Sequence, residues 1–228
     1  MSSGYRELNG EEIADLLGEL LDRLAAGGVV VDAYIIGGAA MALHLGRQQL
    51  TPDIDGLFKP RDQVFAEALA MAEEKNLDPG WINDRAFSFI SFDPADDVDA
   101  KQIVLRGHTV TIASKRTLLA MKIAASRLKD HDDTSRLIAD LGITSAKEIV
   151  DLAFGVFGEH SVTLPNDREE VSLMAEEAMR RARSFVNHPT FSAGAPIQGT
   201  HVWVRPHTKR SGKFIEGHWR KRPTRTKA

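Results

Sequence analysis

The chain has 228 residues, no cysteine and a formal net charge of −3 at pH 7. The lack of cysteine excludes disulfides, thiol catalysis and cysteine-type zinc sites, and it fits a reducing compartment. A hydrophobic content of 43% with 27% charged residues is that of an ordinary soluble globular protein, with length for one domain, or for one domain and a small appendage. No apolar run approaches a membrane span, and Met-Ser-Ser-Gly-Tyr-Arg at the start lacks a signal-peptide core, so the expectation is a cytoplasmic protein with no membrane contact. The charge is unevenly spread. Residues 201–228 hold nine basic side chains against Glu216 alone, which is +8 and leaves −11 on the first 200 residues. A basic tail on an acidic body suggests a polyanion partner, or docking of the tail on the body.

In chain order, residues 9–27 read as an amphipathic helix with Asn9 as N-cap and Ile13, Leu16, Leu17, Leu20, Leu21 and Leu24 at helical spacing. Gly27-Gly28 ends it. Val29–Ile36 reads as a first strand interrupted by Asp32, a turn or edge residue. It runs into Gly37-Gly38 and a short helix of small residues through His44. Asp53–Phe58 is the second strand, and 61–76 a second helix with Val64, Phe65, Ala68, Leu69 and Met71 inward. An irregular stretch starts at Trp81-Ile82-Asn83-Asp84. Gln102–Leu105 and Val110–Ala113 form a hairpin about Arg106-Gly107-His108, preceded by an acidic loop at 93–99 that reads as solvated. That loop lacks the glycine and terminal glutamate of an EF-hand.

From Lys115 the pattern becomes helical: Thr117–Leu128, Asp133–Leu141 as a continuation or restart, a helix capped by Ser145 with Glu148 in a capping box, and a last helix over 165–186 starting at Asn166 or Asp167. A turn-rich linker follows Phe185. The expected class is therefore α+β, a small mixed sheet with flanking helices followed by a helical part. The expected division is a core at 1–114, a helical part at 115–186 that completes the site, and a linker with basic tail at 187–228.

The chemistry gathers between Tyr34 and Leu57. Side chains alternate along a strand, so Asp53 and Asp55 point the same way about 7 Å apart, with Ile54 turned into the core. Two carboxylates side by side repel unless a cation joins them, and oxygen ligands of this kind suit magnesium. Glycines between a strand and a helix let the backbone approach a phosphate, which the helix N-terminus favours. A plain strand-to-helix turn and a chance Asp-x-Asp on a solvated strand are the bland alternatives. His44, among alanines and leucines, reads more simply as a packing histidine than as a catalytic one. Arg47 is either a phosphate fork or an ordinary surface arginine. Lys122 lies in the apolar run Leu118–Ala125, where a charge must be paired or must snorkel to water. Asp130 and Asp133 are three apart and share a helix face; both are either functional or simply N-terminal acids favoured by the helix dipole, with the balance toward function at Asp133 and even at Asp130.

Gly37-Gly38 followed by Asp53-Ile54-Asp55 resembles the signature of the nucleotidyltransferase (polymerase-beta-like) superfamily. With His44, Arg47 and Thr51 leading into the acid pair, the string is similar to the bacterial AbiE-type nucleotidyltransferase toxins and their relatives. The resemblance implies an enzyme that moves a nucleoside monophosphate from a nucleoside triphosphate (ATP or another) to an acceptor hydroxyl, on a tRNA end or a protein, within a toxin–antitoxin or phage-defence system. It implies Mg2+ on Asp53 and Asp55, and phosphate contacts from Gly37, Gly38, Arg47 and Thr51. It further implies a triphosphate contact from Lys122 and a site completed by Arg127, Lys129, Asp130 and Asp133. A cognate antitoxin would be a partner. By its own composition the 201–228 tail, with Trp203, Phe214 and Trp219 among its charges, suits RNA or single strands, or equally is a hairpin or disordered tail that only confers solubility. A third metal carboxylate is expected in many members, and Asp93 is the one candidate for it. A small-molecule (antibiotic-type) nucleotidyltransferase and a non-catalytic nucleotide-binding module are the alternatives.

Overall fold

The computed structural model describes residues 7–45, 50–86, 90–165 and 167–187, with the backbone alone at 201–204, 207–208, 214–215 and 218–221. Helix α1 (Gly10–Ala26) begins at a capping box: the Asn9 side chain accepts from the N–H groups of Glu11 and Glu12, and the Glu12 carboxylate accepts from the Asn9 N–H. Its apolar stripe, the six residues expected from spacing, is wholly buried. Strand β1 (Asp32–Ile35) starts three residues later than hydropathy suggests. Leaving the helix uses the intervening residues: Gly28 has φ +76°, the Val29 N–H donates to the Leu24 carbonyl, and Val30 is 90% exposed. Asp32 is the exposed first residue of the strand and pairs in register with Lys59.

Helix α2 (Gly37–Leu45), strand β2 (Ile54–Lys59) and helix α3 (Arg61–Lys75) follow. Two residues of the stretch read as irregular, Ile82-Asn83, are a strand, β3, parallel to β2 with Asp55 opposite Asn83. A two-residue strand carries no periodicity to read. It is held instead by Trp81, buried against the core, whose indole N–H donates to the Ala68 carbonyl and whose own carbonyl accepts the Ile54 N–H. Strands β4 (Lys101–Leu105) and β5 (His108–Ile112) are the expected hairpin, closed by Arg106 and Gly107 at φ 47° and 88°, the left-handed pair that suits a tight turn between twisted strands.

The sheet order is β3-β2-β1-β5-β4, with β1 antiparallel to β2 and parallel to β5, so the sheet is mixed, as expected. Ile35, Ile54, Phe58, Val110 and Ile112 are buried on one face, against α1 and α3. The other face carries Tyr34, Asp55, Leu57 and Thr111. Gly56, on the buried face opposite Ile35, is a tight point: a Cβ there would sit 2.8 Å from the Tyr34 carbonyl oxygen and 3.0 Å from the Phe58 ring.

Helix α4 (Lys115–Ala125) is capped by Ser114 and stops earlier than the sequence suggests, at Ser126 in the left-handed conformation (φ 45°). A 3-10 turn at Leu128–Asp130 then leads into α5 (His131–Asp140). Helix α6 (Ala146–Phe157) has the Ser145 cap, and α7 (Arg168–Asn187) begins after Asp167, whose carboxylate accepts from the Glu169 N–H. Residues 1–182 form one compact unit, so the helices that follow the sheet share its core. Residues 183–228 form another, with β6 (His201–Val204) antiparallel to β9 (His218–Lys221) and β7 (His207–Thr208) antiparallel to β8 (Phe214–Ile215). The side chains of the basic tail lie outside the described residues. Among the described residues no helix is long and apolar enough to cross a membrane.

Gly56→Ala is expected to destabilise the protein by about 1–3 kcal/mol, because overpacking must move the β1 backbone or the Phe58 ring. A urea midpoint unchanged from wild type would contradict the tight contact.

Candidate active site

The two elements that flank Gly37 meet at Asp55. Gly37 has φ +65°, a conformation that disfavours any side chain, and a Cβ on it would lie 3.1 Å from Asp55 Oδ2. The absence of that carbon lets the N-terminus of α2 rest against the carboxylate. Gly37, Gly38, Asp53 and Asp55 line one cavity of about 580 Å³ together with Thr51, Arg85, Lys122, Arg127, Lys129 and Asp130. The structure thus brings together most of the residues expected from sequence, from β2, α2, α4 and the turn before α5.

Asp53 stands just before β2 and is fixed from three sides. Thr51 Oγ1 donates to the Asp53 carbonyl at 3.2 Å and to its Oδ1 at 3.4 Å, Asn83 Nδ2 donates to Oδ2 at 3.2 Å, and Arg85 Nη1 lies 3.6 Å from Oδ2. Thr51 is itself buried and pinned by paired backbone hydrogen bonds with Leu8. Its hydroxyl is therefore spent on orienting Asp53. Burial, and then the Asp53 charge beside it, push the Asp55 carboxyl up to about 6. Arg85, Arg127 and Lys129 act in the opposite direction from across the cavity.

Lys122 is buried to 7% exposure, so it does not snorkel. Its Nζ donates to Asp130 Oδ1 and to Asp133 Oδ2, both at 2.9 Å, and Arg127 Nε donates to Asp130 Oδ2 at 2.9 Å. Burial alone would raise the Asp130 carboxyl, but Lys122, with Arg127 and Lys129, holds it below the usual carboxylate value. The two acids are partners of a buried cation rather than exposed helix N-terminal residues. Asp133 does not line the cavity; it reaches the site through Lys122.

His44 Nε2 donates to the Ala113 carbonyl at 2.8 Å, and burial lowers its affinity for a proton. It is absent from the lining of the cavity. Arg47 lies outside the described residues. Asp93 does not join the acid pair: it lines a different cavity, and its Oδ1 accepts the Ala95 N–H at 3.0 Å. Nor is the acidic loop merely solvated, since Asp97 Oδ2 accepts the Tyr34 hydroxyl at 2.7 Å and the Ser114 N–H at 2.8 Å. Sequence reading missed Asn83, Arg85 and Glu7, which also lines the acid-pair cavity. No motif marks these three; Asn83 becomes visible only once β3 pairs beside Asp55.

Asp53 and Asp55, side by side on the cavity lining, offer carboxylate oxygens, the donor type that suits a hard divalent cation such as magnesium. Among the described residues no three His, Asp or Glu side chains are grouped to hold a metal, so a cation there would take its further oxygens from ligand or water.

Two outcomes test this electrostatic description. A carboxyl whose folded value lies above its unfolded value costs stability as pH rises from about 4 to about 6, because the folded state holds the proton longer. Asp55→Asn is therefore expected to raise the stability of metal-free protein at pH 8 by up to roughly 2 kcal/mol and to leave it unchanged at pH 4. Thermal unfolding in chelator at both pH values measures this. Lys122→Met removes the ammonium that two buried carboxylates share and is expected to cost about 3–5 kcal/mol in chemical denaturation, with much of the loss recovered by adding Asp133→Asn.

No family model matches the chain, and no curated protein or solved structure matches it either.

Proposed function

We propose that this protein is a magnesium-dependent nucleotidyltransferase. The observation that carries the reading is the contact of Gly37 with Asp55, which sets a helix N-terminus against an acid pair in a single cavity. A triphosphate needs backbone N–H groups, cations and a carboxylate-held metal within its own length. Gly37 and Gly38 offer the first, Arg85, Arg127 and Lys129 the second, and Asp53 with Asp55 the third.

In this reading Asp53 and Asp55 hold the cation, which when bound neutralises phosphate charge and favours ionisation of the attacking hydroxyl. Thr51 and Asn83 keep Asp53 oriented toward its neighbour. Lys122, clamped by Asp130 and Asp133, presents an ammonium of fixed position at the cavity wall. The acceptor oxygen attacks the α-phosphorus, the bond to the bridging oxygen of the β-phosphate breaks, pyrophosphate leaves with that electron pair, and the hydroxyl proton is released to water. Fixed charges and positioning carry most of the rate.

The resemblance of the motifs supports a tRNA end or a protein as acceptor, and with it a toxin restrained by a cognate antitoxin; the basic composition of 201–228 speaks for RNA. A small-molecule acceptor is the second reading, favoured by another cavity on the same sheet face.

Full-length protein incubated with magnesium, each labelled nucleoside triphosphate, total RNA and total protein is expected to transfer label. Asp53→Asn and Asp55→Asn should each reduce transfer by roughly a thousandfold or more while retaining the fold. Triphosphate binding with no transfer to any acceptor, small hydroxylated amines included, would favour a non-catalytic nucleotide-binding module.

A further inference from the structure

The two edges of the sheet are unlike. The β3 edge is two residues long, too short to template another strand. The β4 edge runs for five residues, Lys101–Leu105, and ends in the apolar run Ile103-Val104-Leu105. Val104 is 69% exposed. Beyond Lys101, none of the usual guards of an edge (a proline, a bulge or a further charge) interrupts the strand.

Backbone parity fixes what this edge offers. The Ala113 N–H donates to the Ile35 carbonyl at 2.9 Å, so the odd-numbered residues of β5 turn their hydrogen-bonding groups toward β1. His108, Val110 and Ile112 then turn theirs toward β4, where they bond Leu105, Ile103 and Lys101. Gln102 and Val104 are left with N–H and C=O pointing outward, and among the described residues neither has a backbone partner on that side. The Ala100 N–H, next in the outward series, is already spent on the Asp97 carbonyl at 2.9 Å.

We infer that β4 pairs antiparallel with β4 of a second copy of this chain, about a twofold axis at Ile103. In that register Gln102 and Val104 exchange both hydrogen bonds with Val104 and Gln102 of the second copy, and every outward group of the strand is satisfied. An axis at Gln102 would set Val104 against Ala100, whose N–H is taken. An axis at Val104 would set Gln102 against the turn at Arg106.

The side chains agree with the same register. Ile103 meets Ile103 in the pair type that brings side chains closest, and Lys101 meets Leu105 rather than another lysine. One step further, Ala100 faces Arg106 of the second copy, which brings the Asp99 carboxylate beside that guanidinium at both ends of the seam. Both groups are exposed and loosely held within their own chain: Asp99 lies 4.0 Å from Arg116 Nε, and Arg106 Nη1 lies 3.4 Å from Asp22. Such rim pairs orient the partner more than they strengthen the contact. The axis stands perpendicular to the sheet, so both copies turn the same face to the same side. Since β4 lies at the edge away from β2 and contributes nothing to the acid-pair cavity, both of those cavities stay open on that shared face.

Analytical ultracentrifugation of the full-length protein is expected to show a monomer–dimer equilibrium with a dissociation constant at or below about 100 µM, as suits a small interface. Val104→Pro removes an outward N–H that the monomer does not use, and should raise that constant by roughly tenfold or more with an unchanged circular dichroism spectrum. The chain has no cysteine, so single cysteines test the register. Ile103→Cys places its Cα atoms about 4.5 Å apart across the axis and should form a disulfide-linked dimer under mild oxidation. Val104→Cys, about 8 Å from its copy, should cross-link at least roughly tenfold more slowly. A monomer at every concentration, a dimer indifferent to a folded Val104→Pro, or equal cross-linking of the two cysteine variants overturns the inference; if the proline variant does not fold, the cross-linking ratio decides.

Discussion

One missing methyl group shapes the site. Because residue 37 is glycine, the first turn of α2 approaches the Asp55 carboxylate to a distance that no side-chain-bearing residue permits without displacement. Positive φ at the same position adds a second, independent demand for glycine. The close approach puts the positive end of a helix next to a pair of acids that repel each other. The result is a seat with both polarities, which is what a metal-bound polyphosphate needs. The sheet makes the arrangement rigid: β2 lies between β1 and β3, and Asp53 is tied at both oxygens.

The second constraint is the buried ammonium of Lys122. Taking a lysine and two aspartates out of water costs several kcal/mol for each ion before any pairing is counted. Pairing restores much of that only if the partners arrive in the right geometry. Here the chain supplies it by stopping α4 at Ser126 and turning through a 3-10 segment, which returns Asp130 and Asp133 to the lysine they follow. A continuous helix through this region would carry both acids away along its axis, at 1.5 Å per residue. The irregular connection is thus a requirement of the charge cluster.

How much of this was legible in the sequence depended on whether the signal was local. Asn9 and Ser145 announce their helices because a cap is decided within four residues. The acid pair and the glycine corner were legible for the same reason, each being a short pattern with its own geometry. Asn83 and Arg85 were not, since their relevance comes from pairing β3 beside β2, thirty residues away, through the packing of Trp81. Lys122 could be recognised as a costly charge, but its partners and their division of labour needed the fold. The early start assigned to β1 came from reading Val29, Val30 and Val31 as strand by composition, when the exit from α1 fixes their backbone first.

The position of Trp81 has a practical consequence. Its indole is enclosed by the core, and its carbonyl holds the backbone of Ile54, the residue between the two acids. The chain has two other tryptophans, Trp203 and Trp219, both in the tail. Replacing those two with phenylalanine leaves one tryptophan, a single backbone hydrogen bond from the acid strand, placed to sense a change at that strand without any attached dye.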